Sequence, residues 1–361
     1  MSAATPANDA ATSMRSYKLV QFGTPLQEVI EPPPVPTGTQ VLVRVTGCGV
    51  CHSDLHLAEG HFDLGKGQKM DLSRTFQLPR ILGHEIVGRV ERVGPDAQGV
   101  AVGDARVVFP WGGCTQCVLC KDGQEHLCAR PRSHGTSMDG GYSNYVLVDH
   151  PRYLAAYGDL PHSFAATLAC SGLTAYSALK KAQGVDAEHP LLLIGAGGVG
   201  LAAVYLAQTM YGIAPVVADI DPAKRQAAID AGASAAIDPR DNDARKALLK
   251  STQGFGAAID FVGAQSTAEF GIGLLRRGGR HISVGLFGGS IDIALPTLPM
   301  RGLTIQGSYV GSLAEFEELM ALARAGKVKA MPIEERPLET AQQSLDDLRA
   351  GRIRGRVVLT S

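Results

Sequence analysis

The sequence predicts an α/β chain in two parts: an antiparallel β-barrel and, inserted into it, a doubly wound parallel sheet. Three observations carry this. From Tyr17 to about Tyr157, short alternating apolar segments are broken by Gly and Pro, as antiparallel strands are. From Ser163 to about Ser308, strand-like runs alternate with helical periodicity, as a parallel sheet with crossover helices requires. Beyond Ser308 the pattern changes again and closes on a last strand, so the C-terminus is expected to complete the first part. The expected bounds are a flexible tail over 1–13, the barrel part over 14–165 and 309–361 with a looped lobe at about 109–135, and the inserted sheet over 166–308.

The chain of 361 residues is long enough for two ordinary cores, and 45% apolar with 19% charged residues suits a globular protein. A formal net charge of −1 without long runs of one sign argues against nucleic acid and anionic membrane surfaces as partners. No apolar stretch has membrane-spanning length. Residues 1–13 lack the basic start and apolar middle of a secretory signal, and Met14 offers an alternative start. A cytoplasmic location is the expectation.

In chain order, Glu31–Pro36 reads as a stiff extended connector, and Val41–Val45, Ile86–Val93 and Val107–Phe109 read as strands. A helix is expected over Ser163–Gln183. The apolar run Leu191–Ile194 then enters Gly195-Ala196-Gly197-Gly198-Val199-Gly200, after which Leu201, Val204, Tyr205 and Leu206 recur at helical spacing. Gly195-x-Gly197-x-x-Gly200 is the spacing of a dinucleotide-binding turn. Gly195 permits the sharp turn, Gly197 lets backbone approach a pyrophosphate, and Gly200 lets the helix pack on the strand. The helix N-terminus adds free N–H groups and a positive dipole end. Glycine turns of this kind also occur where nothing binds. Strand Val216–Asp219, helix Pro222–Ala231, strand Ala257–Val262, helix Thr267–Arg276 and strand Arg280–Gly285 follow. Helices Leu313–Ala325 and Glu339–Ala350 precede the strand Arg356–Thr360.

Four of the seven cysteines, Cys114, Cys117, Cys120 and Cys128, fall within fifteen residues. Four thiolates on one loop close a tetrahedral Zn²⁺ site of the structural kind. An iron–sulfur cluster also takes four thiolates, and a nucleic-acid-binding zinc ribbon is a further reading that the near-neutral charge disfavours. A second set is scattered: Cys51, His84 and Cys170, which leave the fourth position of a Zn²⁺ open. By spacing alone each has a plain alternative, since Cys170 suits a buried helix position and His84 a core histidine. Cys48-x-x-Cys51 also has the form of a redox pair.

Together these motifs resemble the zinc-containing alcohol dehydrogenases of the medium-chain dehydrogenase/reductase superfamily, over nearly all of Tyr17–Ser361. The resemblance implies a GroES-like catalytic domain with an inserted Rossmann domain. It implies two zinc ions per chain, a catalytic one on Cys51, His84 and Cys170 and a structural one on Cys114, Cys117, Cys120 and Cys128. Asp54 matches the carboxylate that orients the ligating imidazole, and Glu85 a carboxylate behind the metal. The resemblance further implies that a zinc ion there would lower the pKa of a bound alcohol, with Ser53 taking its proton, His56 passing it to water, and a nicotinamide accepting the hydride. Asp219, nineteen residues beyond Gly200, stands where an acidic residue binds the adenosine ribose, which favours NAD over NADP. Lys224 resembles the lysine near that ribose, His52 and Arg356 match pyrophosphate contacts, and Val262, Val284 and Val310 match positions around the nicotinamide. His56 also reads as an exposed loop histidine and Lys224 as part of a solvated helix face.

The stretch between Cys51 and His84 is longer than the family's common spacing, with the extra residues at about 61–79. They are expected either to lid the substrate entrance or to form a tolerated surface loop. Phe109, Trp111, Leu286 and Tyr309 are expected to wall an apolar substrate pocket; Trp111 is also suited to packing the lobe. The expected reaction is reversible oxidation of a primary or secondary alcohol to an aldehyde or ketone. An aromatic-alcohol or polyol dehydrogenase, or a non-catalytic cofactor-binding relative, are the alternatives. The family forms homodimers and homotetramers.

Overall fold

The computed structural model describes residues 13–183, 185–186 and 188–361. The expected tail, apart from Ser13, lies outside the described residues. The barrel part is built on the strand Val41–Gly49, whose β-branched and apolar run is buried almost throughout. One edge pairs antiparallel with Glu85–Val93 along its length. The other edge is shared: Val41–Arg44 pairs with Tyr145–Val148, and Cys48–Gly49 pairs with Val358–Leu359 of the C-terminal strand. The last strand therefore lies in the first sheet, beside the loop that carries Cys51. Ala105–Val108, Leu154–Ala156 and Ile333–Pro337 complete seven strands.

The second sheet has six parallel strands, in the spatial order Ala235–Ile237, Val216–Ala218, Leu191–Ile194, Phe255–Asp260, Leu275–Ser283 and Thr304–Gly307. Leu191–Ile194 and Phe255–Asp260 are buried at every position, as strands covered by helices on both faces are. Chain order reverses between these two strands, and that switch point opens a crevice at their C-terminal ends. The glycine turn sits there.

One helical passage joins the two parts. The helical segment predicted over roughly Ser163–Gln183 runs as an α-helix over His162–Thr167, a π-turn over Leu168–Gly172 and an α-helix over Leu173–Lys181. Ser171 Oγ donates to the Thr167 carbonyl (2.9 Å) inside the π-turn, which carries Cys170. Single π-turns within α-helices are frequent at functional sites because they re-aim one side chain.

The extra stretch before His84 contains a β-hairpin, His61–Gly65 paired with Gln68–Asp71. Gly65, Lys66 and Gly67 all take positive φ at its tip, which the two glycines adopt without a Cβ penalty. The hairpin reaches the second part of the chain. A Cβ on Gly288 would lie 2.4 Å from the Asp63 carbonyl, and Lys66 Nζ stands 3.3 Å from Asp292.

Candidate active site

The chain leaves the strand Val41–Gly49, reaches Cys51 in extended geometry, and enters the short helix His52–Glu59. Cys51 N–H donates to Asp54 Oδ2 (3.0 Å), so the carboxylate both starts the helix and fixes the cysteine. Asp54 Oδ2 also accepts from Tyr142 Oη (2.9 Å), while Oδ1 accepts from Gly83 N (3.1 Å) and lies 3.3 Å from His84 Nδ1. That last contact has ion-pair distance without hydrogen-bond alignment. Asp54, His84, Glu85 and Tyr142 are all fully buried.

Cys51, His84, Glu85 and Cys170 bring one donor atom each within 4.8 Å of one another. Among the described residues, neither ring nitrogen of His84 has a hydrogen-bond partner. A buried imidazole costs free energy in that state unless a ligand completes it. Two soft thiolate donors and one imidazole fit Zn²⁺ with a position left open. The Cys51 thiol is held well below its ordinary range by its hydrogen bond from Cys170, helped by His84 and Arg356 against burial. Cys170 is pushed up by that same interaction and by burial. Burial pushes Glu85 up to about 7, opposed by the Arg356 guanidinium in direct hydrogen-bond contact. Removing one partner of a buried pair such as this costs about 3–5 kcal/mol, although the pair itself contributes little net stability.

The second cluster also closes. Cys114, Cys117, Cys120 and Cys128 place their sulfurs within 4.8 Å of one another, on a lobe hung from the ribbon Trp111–Gly112 and Arg132–Ser133. Backbone N–H groups of Cys114 and Arg130 donate to Cys128 Sγ (3.4 and 3.3 Å), as they do around metal-bound thiolates. Buried Glu125 anchors the lobe to the barrel, accepting from Arg152 Nη2 and Tyr153 Oη, both at 2.6 Å.

At the glycine turn, a Cβ on Gly200 would stand 1.9 Å from the Gly195 carbonyl, so no larger residue fits there. At Gly197 no described atom lies within 4 Å of that position, leaving an open approach to the backbone. The helix Gly198–Tyr211 begins there without a side-chain cap, so its first N–H groups face the crevice unclaimed by the cap residue. Asp219 Oδ2 accepts from Ala196 N (2.8 Å) and Oδ1 from Asp221 N (2.9 Å), which fixes the carboxylate beside the turn. Open backbone, free helix N-terminus and a positioned carboxylate fit a dinucleotide.

Residues 37–158 match the alcohol dehydrogenase GroES-like domain, and residues 198–325 match the zinc-binding dehydrogenase domain. An NAD-dependent alcohol dehydrogenase of Sulfurisphaera tokodaii is 38% identical over 356 residues, covering 96% of this chain and 99% of the relative. One from Saccharolobus solfataricus is 37% identical with the same coverage. The chain belongs to the zinc-containing alcohol dehydrogenases. Its fold is that of the solved alcohol dehydrogenase of Aeropyrum pernix, with a TM-score of 0.85 at 30% identity over 96% of this chain and 100% of the other. The GroES-like and Rossmann architecture and an enzyme acting on alcohols follow from these matches.

In this alcohol dehydrogenase Ser53 Oγ lies 3.8 Å from Cys51 Sγ, beside the metal-type cluster. His56 lies one helical turn on, its ring 5.3 Å from Phe62 of the hairpin and 6.3 Å from Phe287 of the Rossmann part. Burial lowers the His56 pKa, partly offset by Glu59 and Cys51. His52 is exposed, with its ring 5.9 Å from Phe287. Val262 and Val284 follow two adjacent parallel strands at the switch point, and buried Val310 follows the outermost one. Val310 has φ +37°, a strained value for a β-branched residue. Lys224 is half-buried on the helix Pro222–Asp230, and Arg225 rather than Lys224 bonds the Asp219 carbonyl (2.8 Å).

Two of the expected site residues have close protein partners. Arg356 lies against the glycine turn, where a Cβ on Gly198 would meet its Cδ at 2.4 Å, but its guanidinium turns back to Glu85. Phe109 is buried, stacked on Tyr153 and packed against Phe316. Trp111 does sit by the metal-type cluster, 5.1 Å from His84 and 6.0 Å from Tyr309 between ring centroids, with Nε1 donating to the Ala169 carbonyl (3.1 Å). Leu286 and Tyr309 are exposed. Spacing gave no signal for Tyr142, Phe62 or Phe287. Only the Gly-Lys-Gly tip, flanked by Phe62 and Met70, offered a hairpin cue.

Proposed function

We propose that the chain oxidises a primary or secondary alcohol reversibly to an aldehyde or ketone, with NAD as hydride acceptor and two zinc ions per chain. One observation carries the reading: Cys51, His84 and Cys170 converge in a buried cluster in which neither imidazole nitrogen is hydrogen-bonded among the described residues. Bound at these donors, zinc would make the alcohol proton more acidic, and NAD at the switch point would take up the hydride. The chain's own residues do the rest. Asp54 fixes the Cys51 and His84 segments together. Ser53, beside the cluster, holds the departing proton, and His56 releases it to water. Trp111 and Tyr309 wall the alcohol's apolar side and keep water from it, which suits aryl and medium-chain alcohols.

Gly195, Gly197 and Gly200 shape the pyrophosphate cradle, His52, Gly198 and Val199 line its approach, and Lys224 stands near the adenosine ribose. Asp219 takes the adenosine ribose, and Val262, Val284 and Val310 border the nicotinamide. Arg356 braces Glu85 behind the cluster. Cys114, Cys117, Cys120 and Cys128 take the second, structural zinc. The domain limits we propose are 14–165 with 309–361, and 166–308. Exposed Leu295, Met300 and Ile305 near the edge strand Thr304–Gly307 favour a homodimer or homotetramer through that edge. Unpaired cysteines throughout the described residues fit a reducing cytoplasm. No helix of the described residues is long and apolar enough to cross a membrane.

The test is a panel of primary, secondary, aryl and polyhydric alcohols with NAD or NADP, followed by NADH or NADPH absorbance. Turnover of simple alcohols with NAD is expected, falling by at least about a thousandfold in Cys170→Ala. Activity confined to polyols, or unaffected by Cys170→Ala, would contradict the reading.

A further inference from the structure

The ribose-side carboxylate Asp219 does not stand alone. Its strand end neighbours the end of the next strand, with Asp219 N–H donating to the Ile237 carbonyl (3.1 Å), and Asp238 follows at once. Asp238 accepts from Arg240 Nε through Oδ1 (2.9 Å) and from Arg240 Nη2 through Oδ2 (2.6 Å), and Oδ1 also accepts from Arg240 N (3.0 Å). Arg225 Nη1 stands 3.5 Å from Asp238 Oδ2 while donating to the Asp219 carbonyl (2.8 Å). Arg240 Nη2 donates in the same way to the Ile220 carbonyl (3.3 Å). Two guanidiniums are thus braced against the backbone that presents Asp219, and one carboxylate engages both.

Guanidiniums are the side chains best shaped for a phosphate, because their planar donors match its oxygens two at a time. Arg225 and Arg240 flank the backbone that presents Asp219, and Asp238 occupies Nε and Nη2 of Arg240 and stands 3.5 Å from Arg225 Nη1. We propose that Asp238 is a cofactor-selectivity residue, which pins Arg225 and Arg240 and denies them to a 2′-phosphate. The inference rests on the assignment of Asp219 to the ribose. It makes the exclusion of NADP double: Asp219 repels the phosphate, and Asp238 withholds the cations that would welcome it. Each carboxylate then masks the effect of removing the other, and their contributions are non-additive.

The experiment is a binding cycle on the full-length holoenzyme, with NADH and NADPH titrated by nucleotide fluorescence and no alcohol present. The variants are Asp219→Ser, Asp238→Asn, both together, and both with Arg240→Ala. Asp238→Asn alone should change the NADPH dissociation constant by less than about threefold. In the Asp219→Ser background the same change should tighten NADPH by about tenfold more while NADH binding holds within about threefold, a gain of one decade being about 1.4 kcal/mol. Adding Arg240→Ala should remove that gain. If the double variant binds NADPH no tighter than Asp219→Ser, the role of Asp238 is overturned. It is equally overturned if Asp238→Asn weakens both nucleotides alike, since Asp238 would then support the adenosine site without discriminating. A different result addresses the ribose assignment itself: Asp219→Ser with the wild-type ratio of NADPH to NADH affinity removes that assignment. The two comparisons use different pairs of variants, so the failures are separable.

Discussion

At Asp54 three separated segments meet on one carboxylate: the Cys51 turn, the Gly83–His84 turn and the Tyr142 hydroxyl. Because both oxygens are occupied, the side chain cannot rotate without breaking at least two of these contacts. The His84 imidazole thereby has a fixed carboxylate beside Nδ1, at ion-pair distance (3.3 Å). Asp54→Asn keeps the volume but removes the charge and replaces one acceptor oxygen with a donor. Catalytic zinc affinity is expected to fall by about 10–100-fold, read by competition with a chelator, with the four-cysteine site unaffected. Unchanged affinity would show that the carboxylate serves the turns alone. Asp54 was legible in sequence through its place after Cys51-His52-Ser53. Tyr142 was not, because a hydroxyl brought in from 88 residues away leaves no local spacing signal.

Among elements, the hairpin His61–Gly65 and Gln68–Asp71 links the two parts of the chain over His56. Lys66 and Asp292 are both largely exposed, so their ion pair is worth little, and the close backbone approach of Asp63 to Gly288 defines the contact. Phe62 from the hairpin and Phe287 from across the cleft shield the His56 ring, and that burial lowers its pKa. Proton acceptance needs neutral His56, so activity should fall as pH drops through this pKa. Phe62→Ala lets water reach the ring and returns the pKa toward its ordinary value. The acidic limb of the kcat/KM profile is then expected to move to higher pH, and a limb left in place would separate His56 from proton release. The sequence showed this stretch as extra length but not its docking, since both candidate outcomes, lid and surface loop, have the same polar, glycine-bearing composition. The π-turn at Leu168–Gly172 was hidden for a related reason: its apolar residues fit an ordinary helix, and only packing against both parts selects the wider turn.

Over the whole molecule, the proposed cofactor cradle and the metal-type cluster are supplied by different parts of the chain. The cradle lies where strand order reverses, between Leu191–Ile194 and Phe255–Asp260. The cluster draws Cys51 and His84 from the barrel and Cys170 from the helical passage that joins the parts. The glycine turn and both cysteine sets were legible because their chemistry fixes residue types at short spacings. The contacts of Phe109 with Tyr153 and Phe316 were not legible, because an aromatic beside a loop looks alike in sequence whatever it packs against. The central claim is that Cys51, His84 and Cys170 hold a catalytic zinc distinct from the one on the lobe. Zinc per chain, measured on wild type and on Cys170→Ala beside NAD reduction by alcohol, tests it most directly. The account expects two zinc ions in the active wild type, and about one in a folded variant that no longer reduces NAD. One zinc ion in fully active wild type, or Cys170→Ala with two and full activity, would contradict it.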